Sequence, residues 1–270
     1  MKKNSLLKIA IATFLLVGIG FIPHDSTASN SDAAPQHIAI DAAYGRLPLA
    51  FEANDGQVAP QVKFLSRGRG YSLFLTDTEA VLTLKKSRPV AADTEAGAAK
   101  RRARQRRTVE TSVLRMTMLG ANTEPKIAGA DKLPGVVNYY RGTDPAKWRT
   151  GVATYEKVRL EKVYPGIDLV YYGNQRQLEY DYIVAPGANP KRIRLGFEGA
   201  QKISVDKGGD LVVETGGGEV RWHKPVVYQQ VRGERKPVAG KYVLRNEKEI
   251  SFQIARYDAT KPLVIDPSLG

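Results

Sequence analysis

The chain has 270 residues, a formal net charge of +13 and no cysteine. The lack of cysteine excludes disulfides, thiol catalysis and thiolate metal sites, so packing alone must stabilise the fold. Six of the cations lie in the short stretch 100–107. The rest of the chain therefore has an ordinary charge balance, which argues against a protein that binds nucleic acid over its whole surface.

Residues 1–28 have the features of a cleavable signal peptide. Lysines precede an apolar run from Ile9 to Phe21, which would form about 20 Å of helix and is too short to cross a bilayer. The small residues Ser26 and Ala28 suit cleavage after Ala28. An uncleaved N-terminal anchor is the alternative. We therefore expect an exported protein, periplasmic, on the cell surface or extracellular, with no transmembrane segment after signal cleavage.

Residues 29–46 are small, polar and aperiodic, which predicts a flexible leader. Beyond them, short runs alternate apolar and polar residues between turn signals, as antiparallel strands do. Four such runs are Leu114/Met116/Met118, Ile167/Leu169/Tyr171, Ile193/Leu195/Phe197 and Ile250/Phe252/Ile254. The pattern predicts an all-β, antiparallel β-sandwich-like domain built from hairpins over residues 47–267, with a C-terminal stub at 268–270. It decides neither between sandwich and barrel nor between one and two subdomains.

Two local features interrupt the strand pattern. A short helical turn is expected around Asp144–Trp148, with Asp144 as the cap and Pro145 at the first position. Residues 87–108 predict a long, disordered, basic hairpin loop. This loop is a candidate contact for an anionic partner, although a merely solvated loop is the simpler interpretation, and it carries the arginines Arg101, Arg102, Arg104, Arg106 and Arg107. No aromatic residues interleave with these cations, which argues against sequence-specific nucleic-acid binding.

Several segments in a fixed order resemble a known type of domain. They are LPLAFEANDGQ (47–57), VKFLSRG (62–68), GYSLFL (70–75), LPGVVNYY (133–140), WRT (148–150), VYPGIDLVYYG (163–173), LEYD (178–181) and PLVIDP (262–267). Together they resemble the N-terminal domain of unknown function that precedes SBBP-type β-propeller repeats in secreted bacterial proteins. The resemblance implies export, an all-β fold and a position beside propeller repeats, and it implies no catalytic residues.

Paired carboxylates suggest one candidate site. Glu179 and Asp181 are two residues apart on an expected strand, so their side chains share a face. Such a pair can serve a glycosidase or bind Ca²⁺. The alternative is a solvated strand face whose carboxylates pair with Arg176 and Arg194.

Tyrosine usage suggests a second candidate site. The chain has 13 Tyr but only 7 Phe. Neighbouring strand residues point to opposite faces, so one ring of each of the pairs Tyr139–Tyr140 and Tyr171–Tyr172 must point outward. Tyr140 and Tyr172 are the candidates for sugar stacking or protein contact, whereas Tyr180 and Tyr182 are expected in the core.

The remaining inventory favours a protein that is not an enzyme. His223 is the one histidine of the expected domain, and no serine-nucleophile motif occurs, so we expect no cofactor and no metal. We predict a non-enzymatic interaction or adhesion module whose partner is a surface polysaccharide or a protein. A carbohydrate-binding module and a carbohydrate-active enzyme are the alternatives, and the oligomeric state stays open.

Overall fold

The computed structural model describes residues 49–68, 70–89, 107–174 and 177–269, all within one compact unit. The expected signal peptide, the leader and most of the basic loop, including Arg101 to Arg106, lie outside the described residues. Arg107 begins a strand, but its side chain is not among those described. The described residues contain no helix long and apolar enough to cross a membrane.

Eighteen strands make up the described part of the chain, which confirms the all-β prediction. In chain order they are β1 Phe51–Ala53, β2 Phe64–Gly68, β3 Tyr71–Leu75, β4 Glu79–Pro89, β5 Arg107–Met118, β6 Lys126–Tyr139, β7 Arg149–Tyr164, β8 Ile167–Asn174, β9 Gln177–Val184, β10 Arg194–Glu198, β11 Ala200–Val205, β12 Leu211–Thr215, β13 Gly218–Trp222, β14 Val226–Val231, β15 Glu234–Val238, β16 Gly240–Asn246, β17 Glu249–Ile254 and β18 Leu263–Asp266. The four alternating runs place their apolar residues in the interior, because successive strand side chains face opposite ways.

Two single turns of 3-10 helix are the helical structure among the described residues. The predicted one spans Pro145–Lys147, where the Asp144 side chain accepts a hydrogen bond from Ala146 N at 3.0 Å. The second, Pro190–Arg192, is capped in the same way by Asn189 and was not predicted. Both follow the same chemistry: an Asx cap precedes a proline at the first helical position.

Fifteen strands form one large antiparallel sheet, and β11, β12 and β13 form a small separate one. Strand β7 organises the large sheet, since it pairs with β6 along one edge and with both β1 and β8 along the other. One half of the sheet continues from β7 through β8, β9, β18, β14 and β15. The other half continues through β1, β2, β3, β4, β5, β10, β17 and β16.

The two halves pack against each other around one core. Tyr182 of β9 meets Phe252 of β17 with ring centroids 6.0 Å apart, and the Tyr180 hydroxyl lies 3.9 Å from the sulfur of Met116 in β5. Tyr180 and Tyr182 are 2% and 0% exposed, which confirms their predicted core positions. The sandwich-like interpretation therefore holds, with a single sheet folded over to supply both layers.

Both ends of the described chain are built into this fold. Near the N-terminus, Asn54 Nδ2 donates to the carbonyls of Ala59 at 3.0 Å and Val62 at 2.7 Å. At the other end, Leu269 is 7% exposed and its N–H donates to Leu178 O at 3.1 Å. The packed region thus reaches Leu269, within the expected stub at 268–270.

The paired strands of the β4–β5 hairpin extend into both ends of the loop expected at 87–108. Its ladder runs from Glu79 opposite Thr117 to Pro89 opposite Arg107. Strand pairing therefore includes the ends of the expected loop, and the segment between the paired strands is residues 90–106.

Candidate functional site

Three of the four candidate site residues lie together on the outer face of β8 and β9. Tyr172 is the cross-strand partner of Glu179, and its hydroxyl donates to Asp181 Oδ1 at 3.1 Å. The three alternate along their strands with the buried residues Tyr171 and Tyr180. We call this surface, with its neighbours Tyr228, Arg235 and Asp266, the tyrosine–carboxylate face.

The strand order brings the three neighbours to this face. Strand β18 lies beside β9 and carries Asp266, and Val226 of β14 is the partner of Asp266. Across the next pair, the Arg235 guanidinium lies 4.4 Å from the centroid of the Tyr228 ring and covers it. Sequence analysis did not identify these residues, because their placement depends on pairing between strands that are distant in the chain.

Burial and mutual repulsion change the electrostatics of this face. Partial burial, the Asp266 carboxylate and Glu179 raise the pKa of Asp181 to about 7, although the Tyr172 hydrogen bond and Arg235 act in the opposite direction. Burial and Glu179 likewise raise the pKa of Asp266. Burial and the nearby carboxylates raise the pKa of Tyr172, so its hydroxyl remains protonated. Asp181 is thus a carboxyl group that exchanges its proton near neutral pH.

Of the two arginines expected to pair with Glu179 and Asp181, only Arg194 lies among the described residues, and it pairs elsewhere. Arg194 instead forms a bidentate pair with Glu249, at 2.6 and 3.1 Å, and Arg176 lies outside the described residues. The described residues contain no group of three or more His, Asp or Glu arranged to hold a metal ion.

Tyr140 lies elsewhere, at the end of β6, and is 62% exposed. Its ring packs edge-to-face against Trp148, with centroids 5.1 Å apart and planes at 89°. The Trp148 indole N–H donates to Gly142 O at 3.2 Å, which fixes the ring of this partner. We call the group of Tyr139, Tyr140, Arg141 and Trp148 the aromatic corner.

A buried carboxylate holds one member of the aromatic corner, Tyr139. Glu52 is 7% exposed, and its two oxygens accept hydrogen bonds from Arg67 Nη1 and the Tyr139 hydroxyl. Two guanidinium groups also flank the Tyr139 ring, those of Arg67 at 5.4 Å and Arg141 at 5.5 Å from its centroid. Burial, with a further contribution from Glu52, raises the pKa of Tyr139, which keeps its hydroxyl a donor.

His223 follows the small sheet and belongs to an exposed polar cluster. Its Nδ1 lies 3.2 Å from Asp210 Oδ2, and its neighbour Trp222 is 1% exposed. Trp222 therefore points into the core, whereas His223 points outward. Arg221 occupies the centre of the cluster and pairs with Asp206 at 2.5 Å and Glu219 at 2.9 Å. The guanidinium offsets part of the negative charge of these carboxylates.

Comparisons with known proteins identify the domain at the level of its family. No curated protein and no solved structure is significantly similar to the chain. The model of a family described as a domain of unknown function (DUF7948) matches residues 51–268, and nothing in that match links the chain to SBBP repeats. Since this span includes every strand and both candidate surfaces, the chain belongs to the DUF7948 family of domains of unknown function.

Proposed function

We propose that this domain is a non-enzymatic binding module of an exported protein and that it contacts a partner at the cell surface or outside the cell. The aromatic corner is the observation that carries the proposal. Tyr140 exposes 62% of its surface while its ring is held against Trp148. Rigid, exposed aromatic side chains lose little conformational entropy when they bind, and they often supply most of the energy of an interface.

Charge around the aromatic corner indicates an anionic partner. Four cationic residues belong to the corner or lie beside it, namely Arg67, Arg141, Lys147 and Arg149, against two acidic residues, Glu52, which pairs with Arg67, and Asp144, which pairs with Lys147. The charge of Glu52 is less accessible to a partner than that of Asp144, because the Glu52 side chain is 9% exposed and the Asp144 side chain 51%. Such a surface attracts an anionic partner by electrostatic steering and then contacts it through the rings.

The test uses a fluorescently labelled protein, produced without residues 1–28, and intact cells of the organism that encodes it. Tyr140→Ala and Trp148→Ala are each expected to lower the apparent affinity at least about tenfold, as for the loss of an interface hot spot. Tyr172→Phe serves as the matched control and should bind like the wild type. Equal binding by the corner variants, with unchanged circular dichroism, contradicts the proposal.

A surface polysaccharide is the second candidate partner, because aromatic rings stack on sugar faces. Periodate treatment of the cells destroys glycan partners, whereas protease treatment destroys protein partners. Loss of binding after periodate alone, together with binding of the wild type but not Tyr140→Ala on a glycan array, favours a carbohydrate-binding module.

A carbohydrate-active enzyme is the third candidate, and one observation favours it. The pKa of Asp181 near 7 would suit a general acid, with its expected partner Glu179 and also Asp266 as neighbouring carboxylates. Release of reducing ends from polysaccharides by the wild type, but not by Asp181→Asn, would support this activity. The resemblance to domains that precede propeller repeats is a separate part of the proposal, and downstream coding sequence for such repeats would support it.

A further inference from the structure

Five tyrosines with almost no solvent exposure meet in the core between the two halves of the large sheet. They come from β7, β8, β9 and β16, and their exposed fractions are 1% for Tyr164, 1% for Tyr171, 2% for Tyr180, 0% for Tyr182 and 3% for Tyr242. Successive rings lie close together, with centroids 5.6 Å apart for Tyr171 and Tyr180 and 5.9 Å apart for Tyr180 and Tyr182. The core therefore concentrates hydroxyl groups where a sandwich usually places only hydrocarbon.

The hydroxyl groups lie close enough to influence one another. Burial raises the pKa of Tyr182 far above its ordinary value, and the neighbouring Tyr164, Tyr180, Tyr171 and Tyr242 raise it further. Burial and Tyr164 act on the pKa of Tyr171 in the same direction. All these groups stay protonated, so each offers one hydrogen-bond donor and two acceptor lone pairs.

Hydrogen bonding divides the cluster into two groups. The Tyr164 hydroxyl donates to Arg194 O at 3.1 Å, and the Tyr242 hydroxyl donates to His223 O at 3.0 Å. By contrast, the hydroxyls of Tyr171 and Tyr182 are fully buried and have no hydrogen-bond partner among the residues that the structure describes. Among the described residues, the Tyr180 hydroxyl contacts the weak acceptor Met116 Sδ, at 3.9 Å.

We propose that the hydroxyls of Tyr171 and Tyr182 form an internal binding site for an ordered water molecule. Buried hydroxyl groups in native proteins are almost always paired, and an unpaired one opposes folding. An internal water takes two to four hydrogen bonds from polar groups that otherwise lack them. Here the two unpaired hydroxyls belong to rings that both pack against the ring of Tyr180, and the three hydroxyls together offer the donor and acceptor sites that such a water needs.

This site gives the tyrosine-rich core a defined role in the fold. A water that bridges β8 to β9 from inside fixes the relative positions of the rings, as satisfied buried polar networks do. Phenylalanine at these positions would pack without that constraint. The inference is independent of the proposed partner binding, since none of these side chains reaches the surface.

The experiment compares Tyr171→Phe, Tyr182→Phe and the double variant with the wild type. Each substitution keeps the ring and removes only the hydroxyl, so folding should be preserved. If a water bridges the two groups, each single variant lowers the midpoint of thermal unfolding, and the double variant loses less than the sum of both. Tyr140→Phe, which removes an exposed hydroxyl, is the control and should leave the midpoint unchanged.

Two direct measurements complete the test. NMR should show an Overhauser effect between a long-lived water and the ring protons of Tyr171 or Tyr182, and the double variant should lose it. A high-resolution crystal structure should show a density peak within hydrogen-bond distance of both hydroxyls. Unchanged or raised unfolding midpoints in the single variants, with no such peak, would overturn the proposal.

Discussion

The Tyr172 hydroxyl donates a hydrogen bond of 3.1 Å to Asp181 Oδ1 across the β8–β9 pair. This bond stabilises the ionised carboxylate, but burial and the negative charge of Asp266 oppose it more strongly and raise the pKa of Asp181 to about 7. The tyrosine–carboxylate face consequently changes its charge near neutral pH. Its properties should depend on pH in a way that one substitution can isolate.

Asp181→Asn should remove a pH dependence of the folding free energy. The carboxyl holds its proton more tightly in the folded chain, with a pKa of about 7, than in the unfolded chain, where its pKa is near the ordinary value of 3.8. Its contribution to stability is therefore complete below about pH 4 and is lost as the pH rises to about 7. The difference in unfolding free energy between Asp181→Asn and the wild type should therefore shift in favour of the variant by on the order of 2 kcal/mol from pH 4 to pH 8, after allowance for solvent screening.

Urea unfolding between pH 4 and pH 9 measures this effect. Asp258→Asn is a suitable control, because the pairing of Asp258 with Lys261 lowers the pKa of that carboxyl to about 2. The ionised Asp258 carboxylate stabilises the fold except in acid, so Asp258→Asn should not gain stability over the wild type at pH 8. Parallel pH profiles for Asp181→Asn and the wild type would show that the carboxyl does not titrate as described.

Tyr172→Phe should raise the pKa of Asp181 still further. The hydroxyl is the side-chain donor that favours the charged form of Asp181, and its removal leaves burial and the neighbouring carboxylates without that opposition. Carbon-detected NMR of the Asp181 carboxyl follows the titration directly. Tyr140→Phe, which removes a distant hydroxyl, is the control and should leave the pKa of Asp181 unchanged. An unchanged pKa in Tyr172→Phe would mean that the hydrogen bond does not form in solution.

Alternation along single strands predicted the tyrosine–carboxylate face only in part. A period of two places Glu179 and Asp181 on one face and Tyr180 in the core, and all three predictions agree with the burial found. Asp266 joins them because β18, more than 80 residues later in the chain, pairs with β9. No local pattern encodes such long-range pairing, because strand neighbours in a large antiparallel sheet are selected by the packing of the whole core.

The aromatic corner shows the opposite situation, in which the missing information was local. The exposure of Tyr140 was predicted, but its ring partner Trp148, only eight residues away, was not. A turn capped by Asp144 brings the chain back on itself, so the two rings meet after a short connection. The cap and Pro145 predicted that turn, while the direction of the returning chain depends on the pairing of β6 with β7.

Asn54→Ala should destabilise the domain without changing the tyrosine–carboxylate face. Besides its two donated bonds to the loop, the Asn54 side chain accepts from Gly56 N at 3.1 Å and Val58 N at 3.3 Å. Loss of these bonds leaves partly buried backbone groups unpaired, which should cost roughly 2 kcal/mol. Chemical denaturation measures the loss, and Asp55→Ala, at an exposed neighbouring position, should change the stability by less than about 0.5 kcal/mol.

Gly199→Ala should be among the most damaging substitutions at a turn. Gly199 joins β10 to β11 with a φ of +84°, and a Cβ atom there would lie 2.1 Å from the carbonyl oxygen of Val113. Because the clash is with backbone, the β5–β10 pair would have to shift, and a loss of about 3 kcal/mol or more is expected. Gly135→Ala is the matched control: its φ is not in the left-handed region and a Cβ there meets nothing within 4 Å. Thermal unfolding of both variants tests the contrast, and equal midpoints would contradict it.

Glu52→Gln should weaken both the fold and the aromatic corner. Glu52 is the acceptor for Arg67 and for the Tyr139 hydroxyl, and its side chain is 9% exposed while that of Arg67 is 47% exposed. Loss of the negative charge leaves a partly buried guanidinium without its counter-ion. Because solvent screens Arg67, we expect a loss of about 2 kcal/mol, below the range for a fully buried pair.

The appropriate control is Glu161→Gln, which breaks the exposed pair with Lys126, whose side chains are 39% and 73% exposed. It should cost at most about 0.5 kcal/mol. The loss of stability in Tyr139→Phe should lie between those of Glu52→Gln and Glu161→Gln, because this variant removes one hydrogen bond from Glu52 and keeps the ring between its guanidinium neighbours. If Glu52 positions the aromatic corner, Glu52→Gln should also lower the affinity for the partner more than Glu161→Gln does. An equal effect of the two on binding would mean that Tyr140 and Trp148 hold their arrangement without the hydrogen bond between Tyr139 and Glu52.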